Sequence, residues 1–255
     1  MNKRFAFLKN TFPFIALICG LLLIFFSFPN ICIELFLIID YVLAISIFVL
    51  QFTAGKTSAN FYSCILINFY CFFTCGIAIA TTRTFLSLSD FEQQLEIIKI
   101  IGFWICRENS LSGFFYTLMM SVVLIFFCKR YISRYTEISA RYCLDSMNSE
   151  LFDIDQKLIR KEITEDEAKN QKQQVATKIN YYSALDSSAQ VLEKTITAFI
   201  LLFIVFTVGG VSIGIVEFHQ PLREAMNQYI VLSSGYLVVF LIPLFIVCLS
   251  LRIKK

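Results

Sequence analysis

The chain has 255 residues, 57% of them hydrophobic, with 28 Phe and a mean hydropathy of +0.70. That is far too apolar for a soluble domain, and the formal net charge is only +3. The charge is also unevenly placed, since residues 129–194 hold 11 of the 22 Lys/Arg and 11 of the 19 Asp/Glu.

Crossing a bilayer core of about 30 Å takes roughly 20 apolar residues as a helix. Six stretches meet that count: 11–29, 35–53, 59–82, 110–128, 196–216 and 229–251. Met1-Asn-Lys-Arg before the first run resembles a signal peptide, but the run is long and no small-x-small cleavage pattern follows it, so a retained span is expected. The second span carries Asp40, the one charge well inside an apolar run. Residues 96–106 precede the charged pair Arg107-Glu108 and are expected at an interface, with Trp104 as a headgroup anchor.

From Lys129 the fourth span is expected to run on as a helix through Met147. Arg134, Arg141 and Asp145 then share one stripe, because successive residues turn by about 100°. Arg141 and Asp145 are also an i,i+4 pair, and the stripe is a candidate for docking onto a neighbour. A second helix begins near Thr164, where Thr164-Glu-Asp-Glu167 fits a capping box. Val175, Ile179 and Tyr182 follow as an apolar stripe, suited to the membrane face or a partner subunit. Asp186-Ser-Ser-Ala precedes the fifth span, so Asp186 either caps that helix or serves a function of its own. In the fifth span Gly209, Gly210 and Gly214 permit close helix approach, within the chain or between subunits.

The domain reading is therefore 1–128 (four spans), 129–194 (a helical loop) and 195–255 (two spans). With the N-terminus inside, the inner segments carry 18 Lys/Arg and the outer ones four. The positive-inside rule then puts both termini and the large loop in the cytoplasm. The nine cysteines lie mostly within spans and form no Cys-x-x-Cys knuckle; Cys71 and Cys75, one turn apart, lack a third ligand. The single His219 lies in a short outer loop. With no nucleotide-binding glycine loop, zinc motif or nucleophile elbow, no enzyme, cofactor, metal or nucleic-acid partner is expected.

The order of several motifs resembles a known family. Arg141-Tyr-Cys-Leu-Asp-Ser-Met147, Ile154-Asp155, Glu165-Asp-Glu-Ala168, Tyr181-Tyr-Ser-Ala-Leu-Asp186, Gly209-Gly210 with Gly214, Glu224-Ala225, Tyr229 and Ile242-Pro243 follow one another. They are similar to the transmembrane half of the flagellar and type III secretion export-gate proteins, the FHIPEP family. Asp40 and Thr82-Arg83 fit the same pattern. The resemblance implies an all-α polytopic bundle of the bacterial inner membrane that takes part in proton-driven protein export. It implies a homo-oligomeric ring, contacts with other export-apparatus membrane proteins, and exported proteins as substrates. Asp186 would be the family's critical acid and a proton-coupling candidate, with Asp40 a second; Arg134, Arg141 and Asp145 would couple the ring to its neighbours.

The departures point the other way. The family's PGKQM segment reads Asn148-Ser-Glu-Leu-Phe152, and its polar Arg and Asn in the third span correspond to Thr74 and Ala78. Its Asp, Ser and Gln in the sixth span are replaced by Tyr236, Phe240 and Leu241. Intramembrane polar groups are costly and retained for function, so their loss suggests a reduced pathway. The sequence ends at Lys255, ahead of the family's last two spans and cytoplasmic domain, as expected of a fragment, a split subunit or a degenerate, non-conducting homologue.

Overall fold

The computed structural model describes residues 18, 20–53, 59–88, 93–107 and 109–251. Residues 11–17 and 19 of the first predicted span lie outside the described residues, and Gly20–Phe25 are helical. The rest is seven α-helices: α1 Asn30–Thr53, α2 Ala59–Ser87, α3 Glu96–Cys106, α4 Ser110–Arg141, α5 Met147–Ile159, α6 Glu165–Val216 and α7 Leu222–Ser250. No strand occurs among the described residues. Among the described residues five stretches are long and apolar enough to cross a membrane: α1, α2, the α4–α5 rod, α6 and α7.

Helix α7 is the axis. Its sequence from Tyr229 to Ser250 is apolar all round, which marks a helix buried on every side. Accordingly α1, α3, α4 and α6 pack around it, while α2 packs mainly on α6 and α1. Lipid tails are as apolar as leucine, so this assembly depends on close packing rather than on hydrophobic transfer. Two glycines make that approach possible: a Cβ on Gly102 of α3 would strike the carbonyl of Val231, and one on Gly235 of α7 would strike the carbonyl of Ile98.

The same contact fixes α3. At 11 residues it is about 16 Å long and cannot span the core. It buries Ile98, Gly102 and Cys106 against α7 and leaves Trp104 83% exposed, as an interfacial helix requires. Its first backbone amide, Glu96 N–H, donates to the carboxylate of Glu34 at 2.5 Å, so an acid on α1 caps a helix 62 residues later.

Helix α6 is 52 residues, about 78 Å, and more than half of it extends beyond a 30 Å core. Its N-terminal part pairs with α5 in a hairpin held by Ile154, Ala168 and Val175, with Met147, Leu151, Leu158, Ile163 and Ile179 packed on them. The Val175–Ile179 stripe thus closes the chain's own hairpin rather than facing a membrane or partner. The Thr164 capping box forms as expected: Glu167 N–H donates to Thr164 Oγ1 at 3.3 Å and Thr164 N–H to Glu167 Oε2 at 2.9 Å. Positions 129 and 194 fall inside continuous helices, so the polar loop is built from extensions of two spanning helices.

Candidate functional site

Asp186 lies in the middle of α6, which began at Glu165 about six turns earlier, so no helix starts there for it to cap. The Asp-Ser-Ser sequence stays helical because Ser188 Oγ donates back to the carbonyl of Ala184 at 2.9 Å. Ser188 Oγ also lies 3.1 Å from the carbonyl of Cys64, which sets this turn level with one end of α2. The Asp186 carboxylate is half-buried: Oδ2 accepts from Gln190 Nε2 at 2.9 Å, while Oδ1 is enclosed and has no donor. A buried acceptor without a donor is costly, and an incoming donor would relieve that cost.

Arg134, Arg141 and Asp145 are all exposed. The helix does pass Met147, but through a π turn at Tyr142–Ser146, where hydrogen bonds run i to i+5 and the register slips. Asp145 therefore does not pair with Arg141, whose Nη2 instead meets Glu137 Oε1 at 2.6 Å one turn earlier. Arg134 stands at a height similar to that of Asp186 on the adjacent helix, yet no ion pair joins them.

Pairings that sequence reasoning missed surround the π turn, and they take Tyr182 out of the predicted stripe. The Tyr142 ring stacks on Tyr182 at 4.2 Å, and Ser139 Oγ donates to the Tyr182 carbonyl at 2.7 Å, fastening α4 to α6. Glu150 receives Lys178 Nζ at 3.1 Å and lies 3.4 Å from the Tyr142 hydroxyl. Burial and the neighbouring Glu150 charge push the Tyr142 phenol up to about 12. The Arg-Tyr-x-x-Asp and Tyr-Tyr-Ser strings carried this signal, since aromatic residues at both ends of a helical hairpin invite stacking.

Asp40 forms a separate site. It is fully buried, and Thr74 Oγ1 donates to its Oδ1 at 2.6 Å. Along α2, Thr74 stands about 15 Å from Cys64, so Asp40 and Asp186 are at different depths. The residues that depart from the family pattern also meet here. Tyr236 OH lies 3.4 Å from the carbonyl of Ala78 and accepts from Thr82 Oγ1 at 3.3 Å, while its ring stacks on Phe199 and Phe206. Neutral hydroxyls and aromatic rings thus make the contact of Tyr236 with α2 and α6.

The glycines of α6 divide. Gly210 and Gly214 receive the Tyr229 ring, which a Cβ at either position would strike, so both serve packing within the chain. Gly209 faces away, with only Leu86 near it at 3.9 Å. Among the described residues, no three His, Cys, Asp or Glu are grouped to hold a metal.

The FHIPEP family profile matches residues 20–253. The flagellar biosynthesis protein FlhA of Bacillus subtilis is 25% identical over 231 residues, covering 90% of this chain and 33% of the relative. FlhA of Caulobacter vibrioides is 26% identical over 182 residues, 70% of this chain and 26% of the relative. The invasion protein InvA of Salmonella typhimurium is 25% identical over 224 residues, 87% of this chain and 32% of the relative. The chain spans a quarter to a third of the length of these relatives. No solved structure gives a significant match.

Proposed function

The chain belongs to the FHIPEP family, and on that premise we propose that it is an inner-membrane subunit of a flagellar or type III protein export apparatus. In this reading both termini and the α5–α6 hairpin face the cytoplasm, because 18 of the 22 Lys/Arg lie in segments on that side. The subunit assembles with copies of itself into a ring and with other membrane proteins of the apparatus. It moves exported proteins without catalysing a chemical step and needs no cofactor.

The observation that carries the reading is Asp186: an acid on a helix that runs from the polar hairpin into the membrane, with one enclosed oxygen lacking a donor. A group that donates to that oxygen would lower the cost of keeping the carboxyl enclosed. The test is export, or swimming, in the native bacterium with Asp186→Asn at unchanged membrane level. A fall of tenfold or more supports the reading, and unchanged export sinks it.

A second reading, a structural or regulatory homologue that does not conduct, is favoured by one observation. Tyr236 and Phe240 occupy positions where the family pattern is polar, and both are fully buried against each other and Phe199. This level is filled rather than lined with charge. Under that reading Asp186→Asn is silent while loss of the whole chain disturbs assembly.

A further inference from the structure

Helix α4 carries its lipid-facing side past the end of the apolar run without a break. Phe115, Tyr116, Met119, Val122, Phe126 and Phe127 are all exposed and lie within an arc of about 140° at 100° per residue. Arg130, Arg134 and Arg141 fall inside that same arc, within about 40° of one another. Each headgroup layer is about 5–8 Å thick. Measured from Cys128, Arg130 is about 3 Å and Arg134 about 9 Å along the axis, against about 20 Å for Arg141. Arg130 and Arg134 thus stand at headgroup depth, and a long guanidinium stem can reach back toward the phosphates.

Charge separates the same residues. Lys129, Arg130 and Arg134 are exposed and none makes an ion pair among the described residues. Helix α4 carries no acid between Ser110 and Thr136. Arg141 is already matched by Glu137 at 2.6 Å. On the neighbouring α6, Lys194 is exposed close to the start of the apolar run, beside the exposed Glu193.

We propose that Arg130 and Arg134 form a seat for anionic phospholipid headgroups, in which the lipid-facing stripe of α4 takes the acyl chains and the two arginines take the phosphates. The seat requires only a bilayer around α4 and is independent of the export role. It assigns Arg134 to the lipid rather than to a neighbouring protein.

The purified full chain in neutral detergent is titrated with phosphatidylglycerol and with phosphatidylcholine, and bound lipid is counted by native mass spectrometry. A cation at an anionic surface is worth about fivefold in affinity, so wild type is expected to prefer phosphatidylglycerol clearly. Arg130→Gln with Arg134→Gln should reduce that preference by roughly twentyfold. Arg160→Gln with Lys161→Gln, on the remote hairpin turn, should leave it unchanged. No preference in wild type, or a preference that survives the Arg130/Arg134 double variant, overturns the seat. So does an Arg130/Arg134 variant that loses self-association while its lipid preference stands, since the face would then dock protein.

Discussion

The two ends of α6 hold their neighbours by opposite means. In the membrane, α6 meets α7 through absent side chains, Gly210 and Gly214, into which the Tyr229 ring fits. In the hairpin, the same helix meets α5 through a three-residue core and ion pairs. Lipid offers no hydrophobic driving force, so contact distance decides there. Water offers one, so a small apolar core suffices, and charges at its edge set the register. Substitutions should therefore act sharply and globally in the membrane and mildly and locally in the hairpin.

The largest expected effect is Gly235→Val. Its branched side chain would meet the Ile98 carbonyl, on a backbone that cannot yield without moving α3 off α7. Overpacking costs about 1–3 kcal/mol where side chains can adjust, and more is expected where backbone is struck. The protein should lose its monodisperse elution in detergent. A well-behaved Gly235→Val protein of wild-type melting temperature would break the contrast at its strong end.

Ile154→Ala comes next. The residue is buried in the hairpin core beside Val175 and Ala168, and such truncations cost about 2–5 kcal/mol. Hydrogen exchange should quicken across Met147–Ile159 and the first turns of α6 while α7 stays protected. Faster exchange in α7 as well would show that hairpin and membrane bundle open together, and the contrast would fail.

How much of this was legible follows the same line. Apolar run length located one end of each of α1, α2, α4 and α7 to within one residue and missed the other by five or more, and Thr164-x-x-Glu167 located the start of α6. Run length made 229–251 one span among six, and its burial on every side as the axis α7 emerges only from the packing. Asp186-Ser-Ser could be read as a helix start, because short polar side chains serve as caps and can also fold back onto the i−4 carbonyl. Only the tertiary partner, the Cys64 carbonyl, decides between these for Ser188. The π turn was invisible for a related reason: one extra residue per turn is selected by the Tyr142–Tyr182 stack across two helices, not by local propensity. Thr74, read as a lost polar position, proves to be the donor to Asp40.

Thr164→Ala tests the hairpin at its edge. Loss of a threonine cap costs about 1 kcal/mol, expected as faster exchange in the first turn of α6 only. The cap also has a pH signature. Hydrogen bonds from Thr164 hold the Glu167 carboxyl below the usual glutamate range. A lowered folded-state value contributes stability that is present above the unfolded value and lost as pH falls through the folded one. First-turn protection in wild type should therefore weaken on acidification below the ordinary glutamate range. Glu167→Gln, which removes the titrating carboxyl, should flatten that dependence, and an equal slope in both proteins would remove Glu167 as its source.

The smallest effect belongs to the Lys172–Asp155 pair, and it sharpens the comparison most. Its Nζ and Oδ1 are 2.7 Å apart, the shortest ion pair across the hairpin among the described residues, yet both side chains are about half exposed. Water and salt screen such a pair, so a double-mutant cycle with Lys172→Met and Asp155→Asn should give a coupling of about 0.2–1 kcal/mol. The coupling should shrink further as ionic strength rises toward 0.5 M, where the Debye length falls to about 4 Å. Lys178–Glu150 differs in kind at a longer 3.1 Å, because Glu150 also approaches the Tyr142 hydroxyl and lies nearer the stacked rings. If the second pair couples more strongly than the first and resists salt, burial beside the π turn outweighs distance. Equal, salt-sensitive couplings would make both pairs ornaments of a hairpin that its three-residue core holds alone.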